Sequence, residues 1–247
     1  MRSSNAKADE APRRGGRLVI GLNGDTKTLD PHVSQLTVWQ NARRQIFEQL
    51  LRNNPDGTQS PLLAASFAWS DPTTLTVVLK TGVTFHNGSP FTSEDVKHTF
   101  DRLATPNLPS QYPPRLGKIA SIEAPAPDRV VFHLTGPDVS FLDLLADIDI
   151  ISKSVPVEKI PTTPVGTGAF KFVAWAPGES LRFARYDGYH VKGLPYLDEI
   201  TYRPMPDSEA RIASLLAGDI DVNFDVPIRE VGRLGKSPHI STTKLRG

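Results

Sequence analysis

The chain has 247 residues, 38% hydrophobic and 22% charged, with 28 basic and 27 acidic side chains and a formal charge of +1. That balance sets up no field favouring nucleic acid or an anionic membrane, and with no cysteine there are no disulfides, thiolate metal sites or thiol nucleophiles. No apolar run approaches the ~20 residues of a membrane-spanning helix, and the 22 prolines, about twice the usual share, predict rigid connections and few long helices.

Residues 1–16, MRSSNAKADEAPRRGG, are polar and lack the apolar core of an export signal; they read as a disordered tail. RLVIGL (17–22) predicts a buried strand, and NGDTKTLDP (23–31) a loop. Apolar residues at 39, 42, 46, 47, 50 and 51 predict a helix over 38–51, stopped by NNPDG (53–57). TLTVVLK (74–80) alternates as a strand does. In GVTFHNGSPFTSEDV (82–96), Asn87-Gly88 signals a turn, and Thr92 with Asp95 forms a near capping box for a helix bearing Val96, Phe100 and Leu103. TPNLPSQYPPRLG (105–117) predicts a rigid loop, KIASIEA and RVVFHL (118–134) paired strands, and 141–146 a short helix before a strand at 148–152.

After a second proline-rich connection, SVPVEKIPTTPVGTG (154–168), the runs 169–175, 180–186 and 199–205 predict three strands. SEARIASLLAGD (208–219) predicts a helix ended by Gly218. IDVNFDVP reads as strand and turn, and the final HISTTKLRG as extended. The expected fold class is α+β, or mixed α/β, with antiparallel hairpins and no regular βαβ alternation.

No motif for catalysis is present. There is no G-x-S-x-G and no H-E-x-x-H, and GTGAF (166–170) precedes a strand, where no helix N-terminus could cradle a phosphate. The acids Glu94 and Asp95 suit a helix N-terminus electrostatically. The histidines at 32, 86, 98, 133, 190 and 239 show no metal spacing and read as surface or internally satisfied residues. Tyr112, in the proline-rich loop, reads either as a ligand-contacting lid or as surface packing.

The order of segments says more. TLDPH (28–32), IFEQLLRNNPDG (46–57), PLLAASFAWS (61–70), TLTVVLKTGVTFHNGSPFTSEDV (74–96), PVGTGAFKFVAWAPG (164–178), ARYDGYH (184–190) and RIASLLAGDIDV (211–222) together resemble the family 5 extracellular solute-binding proteins of bacterial ABC transporters, the peptide- and nickel-binding group. The departures are few: Asn87 stands where the family usually has Asp, Ala169-Phe170 where it has Pro-Tyr, and Tyr189-His190 where it has Tyr-Trp.

The resemblance implies a periplasmic-binding-protein-like (type II) lobe with an inserted subdomain, the second lobe missing, because family chains are roughly twice as long. Residues 17–44 and 163–247 would form the sheet domain and 45–162 the inserted subdomain. It further implies capture of a peptide or similar small polar solute, delivery to a membrane permease, a periplasmic or cell-surface location with the signal peptide removed, a monomer, no cofactor and no enzymatic activity. The ligand-facing residues would be Gln35, Thr37, Tyr112, Thr167 and Gly168, whose amide, hydroxyl and backbone groups suit a polar ligand. Alternatives are nickel or metal-chelate capture, for which His86 and His190 are the residues to test, a hydrolytic enzyme, and a free-standing interaction module.

Overall fold

The computed structural model describes residues 12–33, 37–106 and 108–243, with the side chain of Thr37 outside the description. β1 (Arg17–Leu22) lies inside a five-stranded sheet, and α1 (Thr37–Ile46) follows it. β2 (Leu51–Asn53) and β3 (Gln59–Pro61) form a hairpin whose tip is the Asn-Pro-Asp-Gly segment, with Asn54 donating to the Thr58 carbonyl and Gly57 at φ 84°. β4 (Ala64–Asp71), β5 (Thr74–Leu79), β6 (Ile119–Ala126) and β7 (Arg129–Leu134) make an antiparallel sheet in the order β4-β5-β7-β6. Between them run α2 (Ser93–Leu103) and the one-turn α3 (Pro113–Leu116). α4 (Phe141–Leu145) follows.

The chain then returns to the first sheet through β8 (Phe170–Ala176), β9 (Ser180–Arg185) and β10 (Glu199–Pro204). α5 (Ser208–Ala217), β11 (Val222–Asn223) and α6 (Ile228–Leu234) complete it. The order is β11-β1-β10-β9-β8. β1 is parallel to both β10 and β11, and β9 is antiparallel to both β10 and β8. No described helix is long and apolar enough to cross a membrane.

The residue patterns explain the elements. β5 alternates, with Leu75, Val77 and Leu79 buried and Thr74, Thr76 and Val78 half-buried, and its partner β7 does the same through Val130, Phe132 and Leu134. α2 starts where Asp95 Oδ2 accepts from the N–H and hydroxyl of Thr92 (2.9 and 3.0 Å). α5 starts at Asp207, which accepts from the Ala210 N–H, and stops at Gly218, whose φ of 80° a residue with a side chain resists.

Two hydrophobic cores result. One lies around the five-stranded sheet and holds Ile20, Trp39, Phe47, Ile151, Phe183 and Tyr202. The other lies around the four-stranded sheet and holds Leu50, Leu75, Phe100, Phe132, Phe141 and Ile150. The chain passes between cores from Phe47 to Leu50 and back from Ile150 to Ile151.

This crossing ends α1 sooner than the apolar spacing predicts. Phe47 still donates to the Arg43 carbonyl, but the Glu48 carbonyl is taken by the Ile150 N–H at 2.9 Å, and Leu51 opens a strand. Burial in a second core outweighs continued helical spacing. The segment 148–152 is likewise a crossing, with no strand of its own. β4, α3 and α6 lie in segments whose residue pattern has no clean period, so the sequence alone does not mark them. Within the predicted final extended segment, residues 244–247 lie outside the described residues, as do residues 1–11 of the predicted tail.

Candidate functional site

The loop 28–33 is tied down by charge. Both Asp30 carboxylate oxygens accept from Arg102 of α2, at 3.2 and 2.5 Å, and Asp30 also accepts from the His32 N–H at 3.0 Å. His32 is fully buried. Its Nε2 donates to the Asp149 carbonyl at 2.8 Å, and its Nδ1 accepts from Arg102 at 2.7 Å. Burial, above all, lowers its pKa to about 4, so the ring is neutral at pH 7. Beneath it Arg43 pairs with Asp149 at 2.9 Å and donates to the Pro31 carbonyl. Asp149 also accepts from Gln49; burial pushes its carboxyl upward despite Arg43.

The expected ligand-facing residues fall in three places. Gln35 lies outside the described residues, and Thr37 opens α1 with its side chain undescribed. Tyr112 is neither a surface lid nor surface packing: α3 begins right behind it, and the ring is fully enclosed. Its hydroxyl donates to the Asp147 carbonyl at 3.3 Å, and its ring meets His32 edge-on, centroids 6.4 Å apart. The structure thus brings Tyr112 to the stem of the 28–33 loop, as a support with no open face. Thr167 is also fully buried. Gly168 sits against the end of α1, where an added Cβ would collide with the Gln45 carbonyl oxygen and come 2.8 Å from the Ile46 carbonyl carbon.

A group that sequence reasoning did not assemble lies around Thr167. Glu48, 4% exposed, accepts from the Thr167 hydroxyl (2.9 Å), the Tyr189 hydroxyl (3.0 Å) and His190 Nε2 (3.0 and 2.9 Å). Burial and the neighbouring carboxylate both push the Tyr189 phenol upward, so it stays protonated and donates. A buried carboxylate needs such partners. The signal was present: one acid sits in the otherwise apolar or amide run IFEQLL. Among the described residues no three His, Asp or Glu side chains gather as a metal site.

On the α1 side of the five-stranded sheet, a groove of about 620 Å³ is lined by Leu18, Ile20, Tyr189, Tyr196, Ile200 and Phe224, among others. Phe224, Ile228 and Val231 are exposed on the neighbouring surface.

A two-cored α/β body with this sheet order has close likenesses among solved structures. PBP AgaA from A. tumefacien R10, in complex with agropinic acid, superposes with a TM-score of 0.86 at 32% identity, over 90% of this chain and 46% of that one. The oligopeptide-binding protein AppA from Bacillus subtilis, in complex with a nonapeptide, gives 0.85 at 26% identity, over 92% and 47%. These define the class: part of a periplasmic-binding-protein architecture. The chain belongs to the bacterial extracellular solute-binding proteins, family 5, whose "Middle" sequence model matches residues 58–245. Among curated relatives, the glutathione-binding protein GsiB of Salmonella choleraesuis is 29% identical over 230 residues, or 90% of this chain. The chain spans about 45% of that relative's length.

Proposed function

We propose that the chain forms one wall of a solute-capture cleft in the substrate-binding component of an ABC importer, acting in the periplasm or at the cell surface and handing its cargo to a membrane permease. The cargo class is a peptide or similar small polar solute. The sequence division of 17–44 and 163–247 against 45–162 shifts to the core crossings: residues 17–47 and 151–243 act as a sheet unit, and residues 50–150 as an inserted unit. The remaining half of a full-length polypeptide supplies the opposite wall, and the apolar groove beside Phe224 marks a face that this half would cover. The reading rests on family membership across residues 58–245. The bound agropinic acid and nonapeptide of its structural relatives and the glutathione binding of a curated one support the cargo class.

In this reading the protein is a monomer, binds no nucleic acid and catalyses nothing. Gln35 and Thr37, beyond the rigid stem of the 28–33 loop, are the direct ligand contacts we propose from this wall. Tyr112, Thr167 and Gly168 support the wall from behind, because their side-chain and backbone groups are enclosed. Nickel capture through His86 and His190 is less favoured, since both rings are engaged within the protein.

Calorimetry on the complete gene product, with dipeptides, oligopeptides, glutathione and a nickel–histidine chelate, tests the reading. Saturable binding of a peptide-like solute, weakened at least tenfold by Gln35→Ala with Thr37→Ala, is expected. No heat with any solute would sink the proposal.

A further inference from the structure

The seam between the two cores is tied at one end by the Asp30–Arg102 and Arg43–Asp149 pairs and at another by the turn 166–168, which is gripped from both sides. From the four-stranded side comes His86. Its N–H donates to the Gly166 carbonyl at 2.9 Å, its Nε2 donates to the Gly168 carbonyl at 2.9 Å, and its Nδ1 accepts from the Gly166 N–H at 3.4 Å. From the five-stranded side, Glu48 holds the Thr167 hydroxyl, and the Ile46 carbonyl accepts from the Gly168 N–H at 2.8 Å. Tyr186 closes the grip. Its ring meets His86 edge-on at 4.9 Å, and its hydroxyl donates to the Phe85 carbonyl at 2.9 Å.

We propose that His86 is a positioning residue that locks the sheet unit and the inserted unit into one rigid body through the 166–168 turn. Ligand capture would then move this wall as a whole and would not flex it at the seam. The inference deepens the solute-capture reading and rests on it.

The use of both imidazole nitrogens carries the argument. Any buried imidazole needs partners for its nitrogens, but here both partners are peptide groups of one turn. Here a donor at one edge and an acceptor at the other reach both ends of one three-residue turn. The peptide groups of Gly166 and Gly168 are thereby consumed inside the protein, whereas a turn built to touch ligand would leave some open. The charged and titratable groups facing His86 are Glu48, Lys171 and Tyr186. Burial keeps the ring neutral, which the acceptor role of Nδ1 requires.

Native-state hydrogen exchange read on β5 and β7 against β9 and β10 tests the lock without engineered probes. In the unaltered chain the slowest amides of both sheets should open together, with one shared dependence on denaturant. His86→Ala should split them, so that the four-stranded sheet exchanges at least tenfold faster than the five-stranded one. His86→Gln, whose amide can still donate to Gly168, should largely restore the common opening. Separate opening in the unaltered chain, or an equal loss in both sheets with His86→Ala, would overturn the lock. If His86→Ala does not fold, nitrogen-15 spectra of the unaltered chain decide: the Nε2–H tautomer should persist to about pH 5, and an Nδ1–H or charged ring at pH 7 overturns the proposal. Peptide calorimetry stands apart from these readouts. Its failure with the lock intact would count against solute capture alone.

Discussion

Glu48 anchors the five-stranded side of the seam. A carboxylate this buried is tolerated because His190, Tyr189 and Thr167 all donate to it. Removing one side of a buried pair costs more than the pair contributes, because the other side is left uncompensated. Glu48→Ala should therefore lower unfolding stability by about 3 kcal/mol in urea titrations, and a double-mutant cycle with His190→Ala should show strong non-additivity. Additive losses would argue against the pairing.

Acid acts at the same scale. His32 and His86 have folded pKa values of about 4, against 6.5 for an unperturbed ring. The unfolded chain then takes up protons between pH 6.5 and 4 while the folded chain does not, so stability falls as pH drops through that window and is fully present above it. Each ring accounts for at most about 3 kcal/mol. Urea midpoints should fall steadily from pH 7 to pH 4.5, and flat midpoints would contradict the neutral burial of both rings.

At the scale of elements, the glycines of the 166–168 turn are there for contact distance. Neither has a positive φ, yet a Cβ on Gly166 would collide with the Ile46 carbonyl oxygen and approach its carbonyl carbon to 2.7 Å. Backbone cannot rotate out of the way as a side-chain tip can. Gly166→Ala and Gly168→Ala should each cost roughly 3 kcal/mol or more, seen as loss of soluble folded chain. Gly218→Ala, in open space at φ 80°, should cost only about 1 kcal/mol. If the three substitutions had equal effects, the close-approach argument would fail.

Much of this level was legible beforehand. β1, β5 and β7 follow from apolar runs and period-two alternation, α2 from Thr92 and Asp95, and the end of α5 from Gly218. The spacing alone carries α1 on to Leu51, because Phe47, Leu50 and Leu51 continue the helical period. They do so while belonging to two different cores, and spacing alone carries no label for which core a residue enters.

At the scale of the whole molecule, the proposed role as one wall of a cleft would leave a ligand half in water, while association still costs several kcal/mol in lost freedom. Under that proposal the 247-residue chain by itself should bind peptides no better than millimolar by calorimetry, and a polypeptide of its relatives' full length should bind micromolar or tighter. Sub-micromolar binding by the chain alone would contradict the half-cleft reading.

Local order in the sequence was enough to determine most strands and helices, the mixed α/β class and, through colinear segments, the family. Those signals act between residues a few positions apart, where periodicity, capping and turn chemistry operate. The identity of the seam was decided elsewhere. Glu48 meets Thr167, Tyr189 and His190 across 119, 141 and 142 residues of chain, and His86 meets Gly168 across 82. Only the folding of two cores against each other brings these groups together, and only their burial makes the carboxylate need its partners and leaves the imidazole neutral. Thr167 and Tyr112, polar residues in proline-rich stretches, looked open to solvent for the same reason: enclosure is a property of distant neighbours, which no stretch of sequence around them contains.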